Sequence, residues 1–270
     1  MTDNRCKGNP TQQFDIEVGK RIAEQEKNVE LRHASNDFNR ISNTVKYSYN
    51  FQWSGRPIIQ YPQDMCAMQE LIYQTRPDLI VETGIAHGGS LVFYASMLLL
   101  LDYEDAVQRG ELLDPQKPGR IVLGIDIDIR EHNRAAIDAH PMRGRIVCLE
   151  GPSIDPSIVK EVRSMAERYE RVLVCLDSNH THQHVLAELE AYATLVSVGS
   201  YCVVFDTVIN DMPDETYADR PWGPHNNPKT AIDEFLVAHP EFIPDRTIDN
   251  KIQISVCAGG YLRRVALSSS

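Results

Sequence analysis

Signatures of nucleic-acid-binding, secreted and membrane proteins are missing from this 270-residue sequence. Lysine and arginine number 27 against 38 aspartates and glutamates, which gives a formal net charge of −11. Surplus negative charge opposes binding to phosphate backbones and anionic lipid, so we expect neither nucleic acid nor a membrane as a partner. No apolar run approaches the roughly 20 residues of a transmembrane helix, and the polar N-terminal segment does not resemble a signal peptide.

Paired cysteines are missing as well. The six cysteines are scattered with no C-x-x-C pair, and four lie inside apolar runs, where cysteine behaves as a small hydrophobic residue. This distribution disfavours a zinc finger and a disulfide scaffold. We therefore predict a reduced, cytoplasmic, soluble protein.

The sequence does contain enough apolar residues, 42%, to build one large domain. We predict this domain over residues 51–270 and an N-terminal helical arm over residues 1–50. The arm is strongly charged and carries only a thin apolar stripe, which includes Ile16, Ile22 and Ile41. The stripe predicts packing on a second subunit, which would make a homo-oligomer; a solvated pair of surface helices is the alternative.

Five apolar runs alternate with helical segments in the second and third quarters of the chain. They are LIVET (79–83), RIVLGIDID (120–128), RIVCLEG (145–151), RVLVCLD (171–177) and SYCVVFDT (200–207). Continuous Val/Ile/Leu strands separated by helices indicate a parallel sheet that is covered on both faces. A short strand near Phe242 and a final strand across KIQISVCAGGYLRRV (251–265) follow. We predict an α/β fold with a Rossmann-like, doubly wound, mostly parallel sheet.

Acidic residues mark the ends of these five strands. They are Glu82, Asp126, Glu150, Asp177 and Asp206. Ligands of doubly wound sheets bind outside the carboxyl ends of the strands. The repeated placement of acids therefore predicts a binding site along that edge.

A glycine-rich segment, ETGIAHGGS (82–90), follows the first strand and is called the glycine loop below. Its glycines let the backbone approach a ligand at the N-terminus of the next helix. The loop is not G-x-G-x-x-G, and no acid lies about 20 residues further on, so a nicotinamide dinucleotide is not expected. The sequence also lacks G-x-x-x-x-G-K-[ST] and G-x-S-x-G, which excludes a P-loop kinase and disfavours a serine hydrolase.

An acid-led glycine loop followed by an acid at the end of the next strand suits S-adenosylmethionine. The loop backbone would cover the amino-acid end of this cofactor, and Asp126 would accept hydrogen bonds from both ribose hydroxyls. Ser153, in the third strand end LEGPSID, would contact the adenine, with Asp155 as the alternative.

Asp177 and Asp206 close neighbouring strands of the predicted sheet and would converge on one pocket. Two carboxylates repel unless a cation or a proton lies between them, and Mg²⁺ commonly takes one or two carboxylates. We predict Mg²⁺ there, Asp177 as a catalytic metal ligand, and His180 as general base, because imidazole titrates near neutral pH. His182 and His184 belong to a solvated turn or, with His180, hold a transition metal.

Residues 210–228, called the lid segment below, are rich in Pro, Asp and Asn and too long for a plain connection. Trp222 in this segment is predicted to face the substrate, as is Tyr61, because such rings pack on sugar rings. The alternative is that the lid tryptophan packs back on the domain.

Four stretches resemble the cephalosporin-hydroxylase-like family, whose members are also called rhamnosyl O-methyltransferases. They are GRPIIQYPQDM, DLIVETGIAHGGSL, LDSNHTHQHVLAELEAYATLVSVGSYCVVFDT and DRPWGPHNNPKTAIDEFL, within residues 45–265. The resemblance implies a class I methyltransferase fold in an oligomer, S-adenosylmethionine as cofactor, and Mg²⁺ at the ends of the fourth and fifth strands. It implies these cofactor contacts: Glu82, Gly84, His87, Ser90 and Asp126. It also implies Asp177 and Asp206 as metal ligands.

One position departs from the family. The cephalosporin-pathway member has an acidic pair at the end of the fifth strand, where this chain has Phe205 before Asp206. Two protein carboxylates then remain for the ion, and His180 or a water fills the vacant position.

These features predict Mg²⁺-assisted, S-adenosylmethionine-dependent O-methylation of a hydroxyl on a sugar or a sugar-bearing natural product. A non-haem iron hydroxylase is one alternative, but the H-x-D start of its usual triad is absent, although HPE occurs at His239. The other is a non-catalytic partner that presents substrate to a second enzyme, which Phe205 favours.

Overall fold

A computed structural model describes residues 9–267, so Cys6 lies outside the described residues. The helices are α1 (Pro10–Lys27), α2 (Val29–Thr44), α3 (Pro62–Thr75), α4 (Gly89–Arg109), α5 (Glu131–Asp138), α6 (Pro156–Ala166), α7 (His182–Tyr192), α8 (Pro228–Ala238) and α9 (Arg246–Ile252). The strands are β1 (Phe51–Trp53), β2 (Arg56–Ile58), β3 (Leu79–Thr83), β4 (Ile121–Asp126), β5 (Ile146–Glu150), β6 (Val172–Leu176), β7 (Tyr201–Val204), β8 (Phe242–Pro244) and β9 (Tyr261–Arg264).

Seven of the strands form one sheet in the order β5-β4-β3-β6-β7-β9-β8. Strands β3 to β7 are parallel, whereas β9 runs antiparallel to both of its neighbours. The strand order reverses between β3 and β6, which opens a crevice at their carboxyl ends. The predicted doubly wound, mostly parallel α/β sheet is confirmed.

Apolar helix faces cover both sides of this sheet. On one side α3 and α4 bury Met68, Leu91 and Phe93, and on the other side α7 and α8 bury Leu189 and Phe235. Strands β3, β6 and β7 are buried along their whole length. Burial on both faces explains why their sequences are almost entirely apolar. Within residues 9–267 no helix is long and apolar enough to cross a bilayer.

The predicted final strand was too long. Helix α9 begins after Asp245, whose side chain caps its first turn, and ends at Ile252. It therefore occupies the start of that stretch. Strand β9 begins only at Tyr261, after Gly260. A Cβ at Gly260 would lie 2.2 Å from the carbonyl oxygen of Val204, so the chain enters the sheet through a glycine.

Residues 51–58 form the antiparallel hairpin β1–β2. Its turn uses Ser54 and Gly55, both at positive φ. The hairpin packs on α4, with the Trp53 ring 4.8 Å from the Phe93 ring, measured between centroids. This contact places the following residues, 57–60, at the edge of the crevice.

The N-terminal arm consists of two helices that differ in burial. Helix α1 buries no residue, and Phe14 and Ile16 are more than half exposed. Helix α2 buries Ser35, Asn39 and Ser42 against the domain. The arm is therefore joined to the domain by packing of α1 on α9 as well as by the buried side chains of α2.

Candidate functional site

A cleft of about 640 Å³ lies at the carboxyl ends of β3, β6 and β7. Its walls come from five segments: the end of the arm, the residues after β2, the glycine loop, the loops after β6 and β7, and the lid segment. These are residues within 43–49, 57–60, 84–90, 177–180 and 206–222. The cleft is the one expected where the strand order reverses.

Close backbone packing shapes the glycine loop. Gly84 has φ of +86°, and a Cβ there would lie 2.0 Å from the carbonyl oxygen of Asp177. A Cβ at Gly89 would lie 2.0 Å from the carbonyl oxygen of Pro57. Glycine is required at both positions because the loop is pressed between the β2 and β6 connections.

The carboxylate of Asp126 holds this loop from the neighbouring strand. One of its oxygens accepts hydrogen bonds from the amides of Ile85 (2.8 Å) and Ala86 (3.3 Å), and the other from that of Asp128. Asp126 is not among the residues that line the cleft, so its contact with the ribose stays a prediction. His87 lines the cleft, and its carbonyl oxygen accepts a hydrogen bond from Arg56.

Glu82 is fully buried beneath the loop. It accepts a hydrogen bond of 2.8 Å from the hydroxyl of Ser90, which itself lines the cleft. Burial raises the pKa of Glu82 to about 8, although the Ser90 hydrogen bond opposes the shift. Ser90 can reach a bound cofactor, whereas Glu82 positions Ser90 from below.

Asp177, His180 and Asp206 are brought together as predicted, with one possible ligand atom from each within 4.8 Å of the others. The His180 Nε2 lies 3.4 Å from a carboxylate oxygen of Asp206. Burial and the carboxylate of Asp206 raise the pKa of Asp177 well above its usual range. The cluster therefore favours either a shared proton or a cation between the two acids.

The side chain of Phe205 is buried in the core. Asp206 follows it with φ of +56°, an uncommon conformation for a residue with a Cβ. The next turn is held by Val256, whose carbonyl oxygen accepts hydrogen bonds from the hydroxyl and amide groups of Thr207 and Val208. Because Phe205 carries no carboxylate and is buried, one carboxylate remains at the end of β7.

Asp64, on α3, supports that turn, a role that the sequence analysis did not predict. Its buried carboxylate accepts hydrogen bonds from Ser255, Tyr261 and the amide of Val256. Burial raises the pKa of Asp64 to about 6 against these three hydrogen bonds.

Ser153, predicted to contact the adenine, is buried in a polar network that the sequence analysis missed. Its hydroxyl donates to Glu188 (2.5 Å), as does that of Ser178 (2.6 Å), and His184 lies beside both hydroxyls. Glu188 thus ties the loop after β5 to the loop after β6. The i,i+4 spacing of His184 and Glu188 was the available sequence signal.

His182 and His184 turn away from the acid pair. His182 contacts Thr230 (2.9 Å) and Glu234 (3.1 Å) on α8, and His184 belongs to the Glu188 network. A three-histidine metal site is therefore not formed. His239, of the HPE motif, stacks on Phe235 and pairs with Glu190, outside the cleft.

The lid segment reaches over the acid pair. The Trp222 ring lies edge-on to the His180 ring, with centroids 4.8 Å apart, and the Arg220 guanidinium lies 5.4 Å from the tryptophan centroid. Trp222 is half-buried and lines the cleft, so it faces the cavity while packing on the site.

Tyr61 does not fit its predicted role in substrate contact. Its side chain is 1% exposed and does not line the cleft. The hydroxyl lies 2.7 Å from the Ser42 hydroxyl and accepts a hydrogen bond from Asn43. Tyr61 is buried because α2 covers it, and this packing could not be inferred from local sequence.

The residues of the cleft fit the two implied groups. Two carboxylates and one imidazole in mutual reach form a donor set for a divalent ion, with carboxylate oxygen the ligand that Mg²⁺ prefers. Gly84, Ala86 and Gly89 line the cavity, so the glycine loop presents mainly its backbone there. That property suits a cofactor gripped by main-chain groups.

Comparisons with known proteins agree with this geometry. The family model Rhamnosyl O-methyltransferase/CmcI matches residues 45–265. A rhamnosyl O-methyltransferase of Mycobacterium leprae (strain TN) is 29% identical over 162 residues, 60% of this chain and 62% of that protein. A second, from Mycobacterium bovis (strain BCG / Pasteur 1173P2), is 28% identical over 204 residues, 74% of this chain and 73% of that protein.

A solved structure described as CmcI with Mg and SAM has a TM-score of 0.54 at 22% identity. The match covers 81% of this chain and 78% of that one, and at this identity it establishes the fold. The chain spans less than two thirds of the M. leprae relative. Because the family model matches most of its length, the chain belongs to the rhamnosyl O-methyltransferase/CmcI family.

Proposed function

We propose that this protein is an S-adenosylmethionine-dependent O-methyltransferase that acts on a hydroxyl of a sugar or a glycosylated natural product. The observation that carries the proposal is one cleft in which the glycine loop borders the Asp177–His180–Asp206 cluster. Family membership supports it, because the relatives are named rhamnosyl O-methyltransferases.

The cofactor is proposed to lie along the glycine loop. S-adenosylmethionine supplies an electrophilic methyl group, and its transfer to a hydroxyl oxygen leaves S-adenosylhomocysteine and one proton. Ser90 and the backbone at Gly84 and His87 face the cavity where the amino-acid end would bind. Asp126 fixes the loop, so its shape is set before the cofactor arrives.

Asp177 and Asp206 are proposed to bind Mg²⁺. Positive charge at this point would favour the ionised form of an acceptor hydroxyl and align it with the methyl group. The two carboxylates would attract the ion and fix its position, and their partly buried surroundings would strengthen the attraction.

His180 is proposed to accept the hydroxyl proton. Its Nε2 lies beside Asp206, which orients the ring and stabilises the imidazolium that forms. The edge of the Trp222 ring packs on the same imidazole and limits its rotation. The lid would thus couple acceptor binding to the position of the base.

Two properties of the whole protein remain part of the proposal. We infer a homo-oligomer, supported by the exposed apolar residues Phe14, Ile16 and Ile41 of the arm. We also infer a cytoplasmic location, supported by cysteines that are unpaired in the described part of the chain.

The direct test is calorimetric titration of the protein with S-adenosylhomocysteine, followed by methyl transfer to rhamnosyl glycosides with and without Mg²⁺. We expect binding, and methylation that chelation abolishes and added Mg²⁺ restores. Absence of S-adenosylhomocysteine binding would overturn the proposal. Binding without methyl transfer by the pure protein would instead support a non-catalytic, substrate-presenting role.

A further inference from the structure

Gln60 is a buried amide that the site described so far does not use. It follows β2, lines the cleft and is 1% exposed. Neither its Oε1 nor its Nε2 has a hydrogen-bond partner anywhere in residues 9–267. A buried donor and a buried acceptor, both unused, lie at the wall of an open cavity.

Two further polar atoms without partners lie behind this amide. They are Oε1 of Glu82 and the hydroxyl of Tyr94, both buried, and again no residue of the described chain satisfies them. The Tyr94 hydroxyl is near enough to Gln60 and to Glu82 for weak interactions with both to affect its pKa, but neither contact has regular hydrogen-bond geometry. These groups therefore form one polar patch beside Ser90, at the carboxyl end of β3.

Unsatisfied buried groups are costly, at about 1–3 kcal/mol each, so native proteins rarely keep several together without a ligand. An amide that offers one donor and one acceptor matches a ligand that carries an anion and a cation side by side. An α-amino acid has both, as a carboxylate next to an ammonium. An ammonium bound on the side of Glu82 would favour the ionised form of that carboxyl, so the two groups would stabilise each other.

We propose that Gln60 binds the amino-acid end of the cofactor, with Nε2 donating to the α-carboxylate and Oε1 accepting from the α-ammonium. This inference rests on the proposed function, because it requires S-adenosylmethionine in the cleft. It adds the segment after β2, which contacts the glycine loop at Gly89, to the cofactor site.

Two ligands separate this role from a general structural one. S-adenosylhomocysteine carries the amino-acid end, whereas 5′-methylthioadenosine has the adenosine and a thioether without it. In calorimetric titrations, Gln60→Met should weaken S-adenosylhomocysteine binding about 10- to 100-fold, as expected for lost hydrogen bonds to charged groups. Binding of 5′-methylthioadenosine should change less than about twofold, since its contacts remain.

Gln63→Met is the matched control, because Gln63 also has a buried oxygen without a partner in the described chain but does not line the cleft. It should leave both affinities unchanged. Gln60→Glu keeps the shape while opposing the α-carboxylate, so it should weaken S-adenosylhomocysteine alone even if Gln60→Met folds poorly.

Equal affinity of wild type and folded Gln60 variants for S-adenosylhomocysteine would overturn the inference, as would equal weakening of both ligands. Failure of the wild type to bind S-adenosylhomocysteine would instead refute the proposed function.

Discussion

At the scale of single residues, the proposed chemistry of the cleft rests on Asp177 and Asp206, which lie close together. Asp177 reaches it from a regular strand end, whereas Asp206 does so from a left-handed backbone conformation held by the Val256 turn. The two carboxylates come from adjacent parallel strands, so their separation is fixed by the sheet. Rigid placement of this kind is what a divalent ion and a positioned hydroxyl require.

Removal of one carboxylate should therefore separate metal binding from cofactor binding. We expect Asp206→Ala to lower Mg²⁺-dependent kcat/KM by about 10²- to 10³-fold, since the ion supplies several kcal/mol of charge stabilisation. Affinity for S-adenosylhomocysteine measured without Mg²⁺ should change little. Asp211→Asn, an exposed change at the end of the same turn, is the control, and an equal loss of activity there would contradict the assignment.

Glu82 should make stability depend on pH. Its pKa rises from 4.5 in the unfolded chain to about 8 when folded, so the folded state binds the proton more tightly. The stabilisation is complete below pH 4.5 and is lost as pH rises to about 8, by up to about 1.4 kcal/mol per pH unit.

Urea unfolding between pH 5 and 9 measures this slope. Glu82→Gln, which resembles the protonated acid, should flatten the curve and leave the stability near pH 5 almost unchanged. Glu150→Gln changes an exposed acid at another strand end and should leave the slope as in the wild type. A slope that survives Glu82→Gln would mean that another group binds the proton.

At the scale of elements, the glycine loop lies between the β2 and β6 connections and also lines the cleft. Its backbone lies against the β6 connection at Gly84 and against the β2 connection at Gly89. The position of the loop backbone therefore depends on that of Asp177, against which Gly84 packs. The Glu188 network similarly ties together the loops after β5 and β6.

Two glycines with similar φ values allow the contribution of this close packing to stability to be measured. Gly84→Ala combines a strained φ with a Cβ 2.0 Å from a backbone oxygen, and we expect it to cost several kcal/mol and to abolish S-adenosylhomocysteine binding. Gly55→Ala has a φ of +82° but open space around the Cβ, so it should cost only about 1–2 kcal/mol. Denaturant unfolding compares the two, and equal costs would show that backbone strain alone matters.

At the scale of the whole molecule, the two arm helices have different roles. Helix α1 packs on α9 without burying a side chain of its own. By contrast, α2 and the turn after it bury Tyr61 and supply one wall of the cleft. An aromatic group formed by Phe38, Tyr47, Phe51 and Tyr61 joins the arm to the domain. The domain boundary near residue 50 stays a prediction. Because the end of α2 lines the cleft, we expect the active unit to include this helix.

Two truncations test this division. Removal of residues 1–27 should change the melting temperature by less than about 3 °C and preserve S-adenosylhomocysteine binding. Removal of residues 1–50 strips aromatic contacts worth about 3 kcal/mol, which corresponds to a fall of about 6 to 12 °C. A stable, fully active 51–270 fragment would show that the arm is a separate unit.

The sequence by itself determined the sheet, the glycine loop and the acid pair. Buried parallel strands need unbroken apolar runs, and their carboxyl ends share one edge, so Asp177 and Asp206 could be placed together before any coordinates. Local chemistry carried this information: runs of one residue type, glycines at tight turns, and acids at strand ends.

Only the tertiary structure decided which polar groups face the cleft and which lie beneath it. Tyr61 and Ser153 were expected at the ligand but are buried by α2 and by the Glu188 network, while Gln60, for which no role was predicted, lines the cavity. Side-chain burial of this kind depends on which distant element covers a residue. That contact is set by the packing of the whole chain, and no local pattern in the sequence records it.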